Sequence, residues 1–469
     1  MKEFALLING ALIYKQEQLE VINPATEQVF ASAPRANEDD LNQAVVAARN
    51  AANSWALTDI ETRQAMLNKI ADAIHANTEA LTHALTSEQG KPLEAAAMEI
   101  QYAEAFIRYF ATLSLEPEVL LDDENQRIEI SRKPLGVVAA IIPWNYPLLI
   151  AVYKLAPALL AGNSLIIKPA PTTPIATLML GEILCDIVPQ GLVNVLVDQN
   201  DLGARLSSHP GIAKISFTGS TPTGKAVMAS AAGTLKRLTL ELGGNDAAIV
   251  LDDADPKTTA QGVFNSAFMN SGQVCIALKR LYVHEAIYDQ VCDELAALTR
   301  QAIVADGSTP GAQFGPIQNK AQYNKVCEYI ADARNHGNII AGGEIKEAPG
   351  YFVPLTVVKD ISDGCRVVDE EPFGPVLPVI KFSDVDDAIA LANNSPYGLG
   401  GSVWSSDLER ATTLAARLEC GTAWVNQHTV FGPHIPFPAT KESGIGVEFS
   451  REGLLEFTSM QVINVNKVL

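Results

Sequence analysis

Apolar and polar positions alternate with two different periods along the chain. Between residues 37 and 112, apolar residues such as Leu41 and Val45 recur three or four positions apart, which predicts amphipathic helices. Asn37, which precedes a cluster of acidic residues, predicts the N-terminal cap of the first helix. Residues 126–132 alternate polar with apolar side chains, and this period is typical of a half-buried strand.

From residue 135 onwards, short apolar runs alternate with helical stretches. In the first such region the predicted strands are 136–142, 164–167, 192–197, 212–217 and 235–240, and the predicted helices are 148–160, 176–187 and 224–232. In the second the predicted strands are 247–251, 280–284, 351–358, 376–382, 400–404 and 421–425, with helices at 288–305 and 318–336. This alternation predicts the α/β class with parallel sheets.

Length and charge narrow the possible organisation and partners. A chain of 469 residues exceeds the roughly 250–300 residues that one hydrophobic core serves, so two or more domains are expected. The net charge of −20 disfavours nucleic acid and anionic membranes as partners. The most apolar stretch, 137–167, is interrupted by prolines and by Lys154, so we expect no spanning helix.

The cysteines indicate a reducing compartment. They lie at Cys185, Cys275, Cys292, Cys327, Cys365 and Cys420. None belongs to a C-x-x-C pair, so neither a zinc ribbon nor a thioredoxin-like site is expected. His428 and His434 are not spaced or partnered as metal ligands, and we expect no metal site. The apolar run 4–13 lacks the features of a secretory leader, and we predict a cytoplasmic protein with reduced thiols.

Five short segments carry residues suited to catalysis or ligand binding. They are PWNYP at 143–147, FTGS at 217–220, ELGGN at 241–245, GQVC at 272–275 and EEPFGPV at 370–376. Cys275 follows residues of little bulk and could act as a thiolate nucleophile, while Glu241 precedes two glycines and could act as a general base. Taken singly, Cys275 could be a structural thiol, Glu241 a capping residue and Asn145 a turn residue.

In this order and at these separations, the five segments resemble the aldehyde dehydrogenase family, from about residue 20 to the end of the chain. The resemblance implies oxidation of an aldehyde to the carboxylic acid. Cys275 would form a thiohemiacetal and then a thioester, and Glu241 would take the thiol proton and activate the hydrolytic water. The Asn145 amide and the Cys275 backbone N–H would form an oxyanion hole. Lys154 and Glu448 match a proton relay, although ordinary helix and surface charges are the alternative.

The cofactor implied by the resemblance is NAD, with NADP possible. No G-x-G-x-x-G motif is present, so the weaker pattern of Gly219, Ser220 and Gly224 at a helix start is the candidate pyrophosphate site. Lys168 follows an apolar strand at its carboxyl end, where ligands bind in open α/β sheets, and matches a ribose contact. Glu371 matches the residue that holds the nicotinamide ribose, and Phe373 the residue beside the ring. The other predicted cofactor contacts are Ile142, Pro143, Trp144, Asn145, Ala170, Pro171, Phe217 and Leu242.

Two departures from the family pattern bear on selectivity. Pro171 stands where many strongly NAD-specific members carry glutamate. A proline neither binds the ribose 2′-hydroxyl nor repels a 2′-phosphate, so we expect relaxed selectivity, with NAD used at least as well as NADP. Residues 436–441 read PFPATK where the family usually has Pro-Phe-Gly-Gly, and the loss of two glycines restricts the backbone there. We expect a reshaped substrate entrance.

The predicted substrate contacts are mostly apolar or aromatic. They are Tyr146, Tyr153, Val274, Ile276, His428, Phe431 and Phe437. Members that act on succinic semialdehyde often carry arginine at the position of Tyr153. The substrate predicted here is therefore an uncharged aliphatic or aromatic aldehyde.

The resemblance also implies a division into three parts. A Rossmann-like cofactor domain would comprise 1–113 and 134–244, and a catalytic α/β domain 245–438. A small β oligomerisation element would comprise 114–133 and 439–469, and its strand at 460–465 would pair with another subunit's sheet in a homodimer or homotetramer. Two alternatives are a CoA-acylating dehydrogenase and a non-catalytic family member. Glu241, the base that hydrolysis needs, argues against the first, and the retention of Cys275, Glu241 and Asn145 argues against the second.

Overall fold

The first 110 residues form two hairpins followed by four helices, in a computed structural model that describes residues 3–468. The elements are β1 (Leu6–Ile8), β2 (Ala11–Ile13), β3 (Gln18–Asn23), β4 (Gln28–Pro34), α1 (Glu38–Trp55), α2 (Ile60–Ala76), α3 (Thr78–Gln89) and α4 (Leu93–Phe110). Asn37 caps α1 as predicted: its side chain accepts the N–H of Asp40, whose carboxylate accepts the N–H of Asn37. This reciprocal pair satisfies two backbone donors that a helix start leaves free.

The next region contains the predicted hairpin strand and the first strand–helix alternation. Its elements are β5 (Glu118–Asp122), β6 (Gln126–Pro134), β7 (Val137–Ile141), α5 (Pro147–Leu160), β8 (Ser164–Lys168), α6 (Ile175–Cys185), β9 (Val193–Val195), α7 (Gly203–Ser208), β10 (Lys214–Thr218), α8 (Thr221–Ala231) and β11 (Arg237–Glu241). Every residue of β7, β8, β9 and β10 is buried. That is why these strands appear in the sequence as continuous apolar runs rather than alternating ones.

The second alternating region follows directly. Its elements are β12 (Asp246–Val250), α9 (Pro256–Phe268), β13 (Leu278–His284), α10 (Tyr288–Gln301), α11 (Lys320–His336), β14 (Asn338–Ala341), β15 (Thr356–Ile361), α12 (Arg366–Asp369), β16 (Val376–Phe382), α13 (Val385–Asn393), β17 (Tyr397–Gly398), β18 (Gly400–Trp404), α14 (Leu408–Ala415) and β19 (Thr422–Val425). The chain ends with β20 (Phe437–Pro438), β21 (Thr440–Lys441), β22 (Gly444–Ile445), β23 (Val447–Glu448), α15 (Ser450–Leu455) and β24 (Thr458–Asn466).

Two large sheets organise these elements, and they confirm the predicted α/β class. The eight-stranded sheet has the order β2-β1-β9-β8-β7-β10-β11-β22, and its five central strands are parallel. The seven-stranded sheet has the order β14-β15-β16-β13-β12-β18-β19 and is parallel except at β14. In the first sheet the chain runs outward in opposite directions from β7 and β10, and such a reversal opens a crevice at the carboxyl ends of the two strands.

One predicted strand was wrong over half its length. The strand predicted at 351–358 begins only at Thr356, because the preceding residues bond to loops rather than to a neighbouring strand. The Tyr351 N–H donates to the Pro24 carbonyl, and the Tyr351 carbonyl accepts the N–H of Ile317. Val353 and Leu355 are buried, so their apolar character reflects core packing rather than strand pairing.

The C-terminal tail forms a strand where the sequence predicted one. All nine residues of β24 pair antiparallel with β6 of the same chain, giving the three-stranded sheet β24-β6-β5. The predicted oligomerisation element began at residue 439, but β22 lies at the edge of the eight-stranded sheet, where the Leu242 N–H donates to the Ser443 carbonyl. No helix among residues 3–468 combines the length and apolar character that a membrane span requires.

Candidate active site

A large cleft opens where the order of the eight-stranded sheet reverses. Its volume is about 640 Å³, within the range of small-molecule sites. The predicted cofactor residues that line it are Ile142, Pro143, Trp144, Lys168, Ala170, Pro171, Phe217, Gly219 and Ser220. Sequence reasoning missed others on helices α7 and α8 and the loops before them, namely Asn200, Gly203, Ala204, Ser207, Thr223, Ala226, Val227 and Ser230.

The start of helix α8 faces this cleft. Ser220 occupies the N-cap, yet its side chain makes no capping bond to the helix backbone and lies instead 2.9 Å from the Thr223 hydroxyl. The first turn of α8 has no acidic residue, so its N–H groups and helix dipole are available to an anion. Gly224 and Leu242 lie behind this wall: a Cβ at Gly224 would come within 2.4 Å of the Leu242 Cδ2 atom, so glycine permits the close packing.

Lys168 carries the positive charge of the cleft wall and is paired there. Its Nζ lies 2.5 Å from the Asp198 Oδ1 atom and 3.4 Å from the Asn200 Oδ1 atom. Asp198 follows β9, the neighbour of the strand that ends in Lys168. The rule that identified Lys168, a polar residue at the carboxyl end of a buried parallel strand, could therefore also have identified Asp198.

Glu371 and Phe373 lie beside the cofactor cleft rather than in its wall. The Glu371 Oε1 atom accepts the N–H of Gly244 at 3.0 Å and lies 3.6 Å from the Lys279 Nζ atom. The Phe373 ring meets Trp144 edge-on, with 5.3 Å between centroids. Glu371 thus stands next to the cysteine loop, while Phe373 supports an aromatic residue of the cleft.

The cysteine lies at the end of a strongly bent loop. Asn270, Ser271 and Gly272 all have positive φ values, of 50°, 56° and 72°, and two non-glycine residues in that region indicate local strain. The Asn145 Nδ2 atom donates to the Gln273 carbonyl at 2.9 Å. A Cβ at Gly244 would lie 2.6 Å from the carbonyl oxygen of the cysteine, so a glycine is needed where β12 approaches the loop.

Lys279, in β13, is the charged residue beside this loop that sequence reasoning missed. Its Nζ donates to the carbonyls of Val274 at 3.0 Å, Cys275 at 2.6 Å and Ala277 at 3.3 Å. Burial raises the pKa of the Cys275 thiol to about 12, with Lys279 opposing the rise and Glu241 adding to it. The thiol is therefore protonated near neutral pH and needs a base before it can act as a nucleophile.

Glu241 ends β11 and is almost completely buried. The residue is 3% exposed, and neither carboxyl oxygen has a hydrogen-bond partner among the described residues. Burial raises its pKa well above the usual value; the charge of Glu448 adds to the rise, and that of Lys154 opposes it. A carboxyl group without donors in a dry site favours its neutral form and becomes a strong base once ionised.

Lys154 and Glu448, whose charges act on Glu241, form a buried pair. The Lys154 Nζ lies 2.6 Å from the Glu448 Oε1 atom, and both side chains are buried. Ser216 joins them, accepting from Lys154 at 2.8 Å and donating to Glu448 at 3.2 Å. The three residues come from α5, β10 and β23, so the structure brings together the pair whose role the sequence left open.

A second cleft of about 730 Å³ lies on the other side of residues 143–147. Tyr146 and Phe431 are the predicted substrate residues in its wall, and the Phe431 ring stacks on Tyr102 with 5.5 Å between centroids. Sequence reasoning missed the apolar lining residues Met98, Tyr102, Leu149, Met269 and Val430. Several of these lie on α4 and α5. In the sequence, apolar residues at helical spacing indicate core packing as readily as they indicate the lining of a cleft.

The remaining predicted substrate residues lie outside that wall. Tyr153 and Phe437 pack around the Phe449 ring, at centroid distances of 5.0 and 5.4 Å. Val274 and Ile276 are buried on either side of the cysteine. Within the PFPATK departure, β20 pairs with β23 and places Phe437 opposite Glu448. The Phe449 ring lies 6.3 Å from that of Phe431, so Tyr153 and Phe437 belong to the aromatic cluster that contacts the wall of the second cleft.

His428 is a further predicted substrate residue that lies outside the wall of the second cleft. Its ring is buried, with Nδ1 2.9 Å from the Ser402 Oγ atom and Nε2 3.4 Å from the Asp246 Oδ2 atom. It also packs on Trp424 at a centroid distance of 4.6 Å. Since its polar atoms face the interior of the seven-stranded sheet, it anchors the loop that carries Phe431 and does not line the cleft.

Comparisons with known proteins identify the family. A sequence profile described as "Aldehyde dehydrogenase family" matches residues 13–463. The chain belongs to the aldehyde dehydrogenase family. The resemblance seen in the five segments is thereby confirmed, as is the expected class of activity, the oxidation of aldehydes.

Individual relatives match this dehydrogenase over nearly their whole length. It is 37% identical to a putative aldehyde dehydrogenase, FUS7, of Gibberella moniliformis, covering 99% of both chains. It is 38% identical to a phenylacetaldehyde dehydrogenase of Pseudomonas fluorescens, covering 97% of this chain and 94% of that one. The solved betaine aldehyde dehydrogenase of Staphylococcus aureus in complex with NAD⁺ has a TM-score of 0.95 at 33% identity, covering 99% and 95% of the two chains.

The raised pKa of Glu241 makes the stability of the dehydrogenase depend on pH. Above the usual pKa of glutamate, the unfolded chain loses this proton while the folded chain keeps it, so the free energy of unfolding falls as pH rises. The loss amounts to at most about 1.4 kcal/mol per pH unit. The Glu241→Gln side chain cannot ionise. The melting temperature of this variant minus that of wild type should therefore increase from pH 5 to pH 8.

Calorimetric scans of both proteins across this range measure the difference. Glu285→Gln, which neutralises an exposed carboxylate, is the matched control and should show no such trend. A Glu241→Gln difference that stays constant with pH would show that the carboxyl group ionises normally in the fold.

Proposed function

We propose that the chain oxidises an uncharged, preferably aromatic, aldehyde to the carboxylic acid with NAD, using Cys275 as nucleophile and Glu241 as base. One observation carries the proposal. Residues 143–147 separate the two clefts, with Trp144 in the wall of one and Tyr146 in the wall of the other. Between them, Asn145 holds the cysteine loop through the Gln273 carbonyl. An electrophile in one cleft can thus meet a redox cofactor in the other at Cys275.

The first step is the attack of the Cys275 sulfur on the aldehyde carbonyl. The thiol must lose its proton, and Glu241 is the nearby group whose ionised form is basic enough to take it. The carbonyl oxygen gains negative charge as the C–S bond forms. The Asn145 Nδ2 atom has one N–H on Gln273 and a second that can meet this oxygen together with the Cys275 backbone N–H.

The residues of the first cleft fit a dinucleotide. The uncapped start of α8 offers N–H groups to a pyrophosphate, and the walls around Pro143 and Phe217 are apolar. Lys168 would hold the adenosine ribose, and Glu371 the nicotinamide ribose. Bound nicotinamide would supply the acceptor for the hydride of the tetrahedral adduct. The NAD⁺ bound by the Staphylococcus aureus relative supports this choice of cofactor.

Hydrolysis of the thioester then requires an activated water. The ionised Glu241 can take a proton from it and pass that proton away from the dry site. The Lys154–Glu448 pair, joined by Ser216, provides a buried route. A dehydrogenase that released its acyl group to CoA would need no base to activate water.

The second cleft supports an aromatic or apolar substrate. Its side walls hold Tyr102, Tyr146 and Phe431, and no lysine or arginine lines it within residues 3–468. A carboxylated aldehyde would therefore find no counter-charge. The likeness to a protein named phenylacetaldehyde dehydrogenase is consistent with this proposal.

Cys275→Ala should abolish oxidation while leaving NAD⁺ binding intact, because the sulfur forms the covalent bond and lies outside the cofactor wall. Turnover should fall below about 1% of wild type, as removal of a nucleophile costs several powers of ten. Absorbance of the reduced nicotinamide measures turnover, and calorimetry measures binding. Cys327→Ala on α11 is the matched control and should keep its activity. A Cys275→Ala enzyme that retains more turnover than this would remove the nucleophile from the proposal.

Glu241→Gln should lower steady-state turnover at least about a hundredfold, the usual scale of general-base catalysis. In wild type the rate should rise with pH across about pH 6–9, because the raised pKa delays formation of the carboxylate. Glu285→Gln again serves as control. Wild-type rates in Glu241→Gln would contradict the role. Formation of acyl-CoA when CoA is added to wild type would favour the acylating type of dehydrogenase instead.

We further propose a homodimer or homotetramer built on the three-stranded sheet, in the reducing cytoplasm. Apolar side chains exposed on this sheet are Val119, Leu120, Leu121, Met460, Val462 and Val465. The outer edge of β24 is unpaired within the described chain, and such edges attract a further strand. All six cysteines are unpaired, which supports a reducing compartment.

Val462→Asp should shift the protein towards the monomer, because it places a charge on the proposed interface. Light scattering after size-exclusion chromatography reports the mass. Leu57→Asp, at a residue that is 87% exposed elsewhere, should leave the mass unchanged. An unchanged oligomer in Val462→Asp would exclude this face from the interface.

A further inference from the structure

The wall of the cofactor cleft has only one ionisable side chain among the described residues that line it, that of Lys168. Its charge is already compensated, because the Nζ atom lies 2.5 Å from the Asp198 Oδ1 atom. The Lys168 side chain is 7% exposed and the Asp198 side chain 1%. The cleft therefore offers a ligand a neutral ion pair rather than a free cation.

Asp198 is fixed in this position from both sides. Its Oδ2 atom accepts the N–H of Leu202 at 2.8 Å, at the start of α7. The intervening loop presents Asn200 to the cleft, and the Asn200 Oδ1 atom also lies near the Lys168 Nζ atom. Pulling Lys168 away towards a ligand would leave the Asp198 carboxylate buried and unpaired, which is strongly unfavourable.

The two nicotinamide dinucleotides differ at the ribose that Lys168 would meet. NADP carries a 2′-phosphate with roughly −1.5 to −2 charges at neutral pH, whereas NAD carries a hydroxyl. A phosphate needs cationic or multiple N–H donors, and here it would meet a lysine that a buried carboxylate already neutralises. A 2′-hydroxyl needs only a hydrogen bond, which the ion pair and Asn200 can provide.

We infer that Asp198 sets cofactor selectivity by neutralising Lys168, so that the enzyme prefers NAD over NADP. Asp198 lies just after the neighbouring strand β9. From there it takes the role of the carboxylate that Pro171 replaces. From Pro171 alone relaxed selectivity is expected; Asp198, which that expectation leaves out, adds a preference for NAD. The inference rests on the proposed function in one respect, that the adenosine ribose lies against Lys168.

Asp198→Asn tests this directly, because asparagine can still accept the Leu202 N–H while freeing the lysine. Titration calorimetry of NAD⁺ and NADP⁺ against the purified enzyme, without aldehyde, gives the two dissociation constants. We expect wild type to bind NAD⁺ at least about tenfold more tightly, and Asp198→Asn to shift the ratio towards NADP⁺ by at least about fivefold. A smaller wild-type preference or a smaller shift would overturn the inference.

Asp201→Asn is the matched control in the same loop. Asp201 is exposed and pairs with Arg35, away from Lys168, so this variant should keep the wild-type ratio, and an equal shift in both variants would also overturn the inference. The same titrations separate this inference from the proposed function: a wild type that binds neither dinucleotide contradicts the function, whereas binding of both with an unchanged ratio contradicts only the role of Asp198.

If Asp198→Asn does not fold, a measurement on wild type tests whether Lys168 is neutralised. Adenosine 5′-monophosphate and adenosine 2′,5′-bisphosphate differ only by the 2′-phosphate and would compete for the adenosine half of the cleft. Weaker binding of the bisphosphate supports a neutralised Lys168. Equal or tighter binding of the bisphosphate shows that Lys168 acts as a free cation and overturns the inference.

Discussion

The hydrogen bond from the Asn145 side chain to the Gln273 carbonyl connects the loop after β7 of the eight-stranded sheet with the loop before β13 of the seven-stranded sheet, next to Cys275. The Asn145 carbonyl in turn accepts from Lys91 and Asn270, at 3.0 and 3.2 Å. Lys91 pairs with buried Glu99, whose other oxygen accepts the first N–H groups of α5. Each of these buried bonds would cost about 1–3 kcal/mol to leave unmade. The segment between the clefts is therefore held rigidly, and both clefts take their shape from it.

The α/β alternation could be predicted because burial on both faces makes a parallel strand an apolar run, and β16 occupies the predicted residues 376–382. The same signal failed at 351–355, since apolar residues also mark a buried loop. What distinguishes the two is the bonding partner, here the Pro24 carbonyl more than three hundred residues away. Pairing at such separation leaves no local trace in the sequence. The tail strand β24 was predictable as a strand, but its pairing with β6 was visible only in the structure.

The candidate site also contains residues that the sequence indicated and residues that only the structure revealed. Cys275, Glu241 and Asn145 stood out because proline and glycine surround them, and the backbone they require is unusual enough to mark the sequence. Lys279 lies within β13 and has no such mark, so only its contact with the Cys275 carbonyl gives it a role. Asp198 lies beyond the end of a buried parallel strand, where a ligand contact could have been expected, but its pairing with Lys168 was visible only in the structure. Residue type alone therefore locates a reacting group more readily than it locates the neighbouring charges that change the pKa or the net charge of a site.

The acidic surface and the neutral ion pair in the cofactor cleft act on ligands at different distances, and neither attracts an anionic ligand. A net charge of −20 repels anions at a distance, and at physiological ionic strength this field fades over about 8 Å. Attraction must therefore come from nearby groups, which here are the N–H groups at the start of α8. Those groups would face a pyrophosphate, which both dinucleotides share, so they would not compensate the extra charge of a 2′-phosphate. With Lys168 paired to Asp198, neither the surface nor the cleft would favour the more highly charged cofactor.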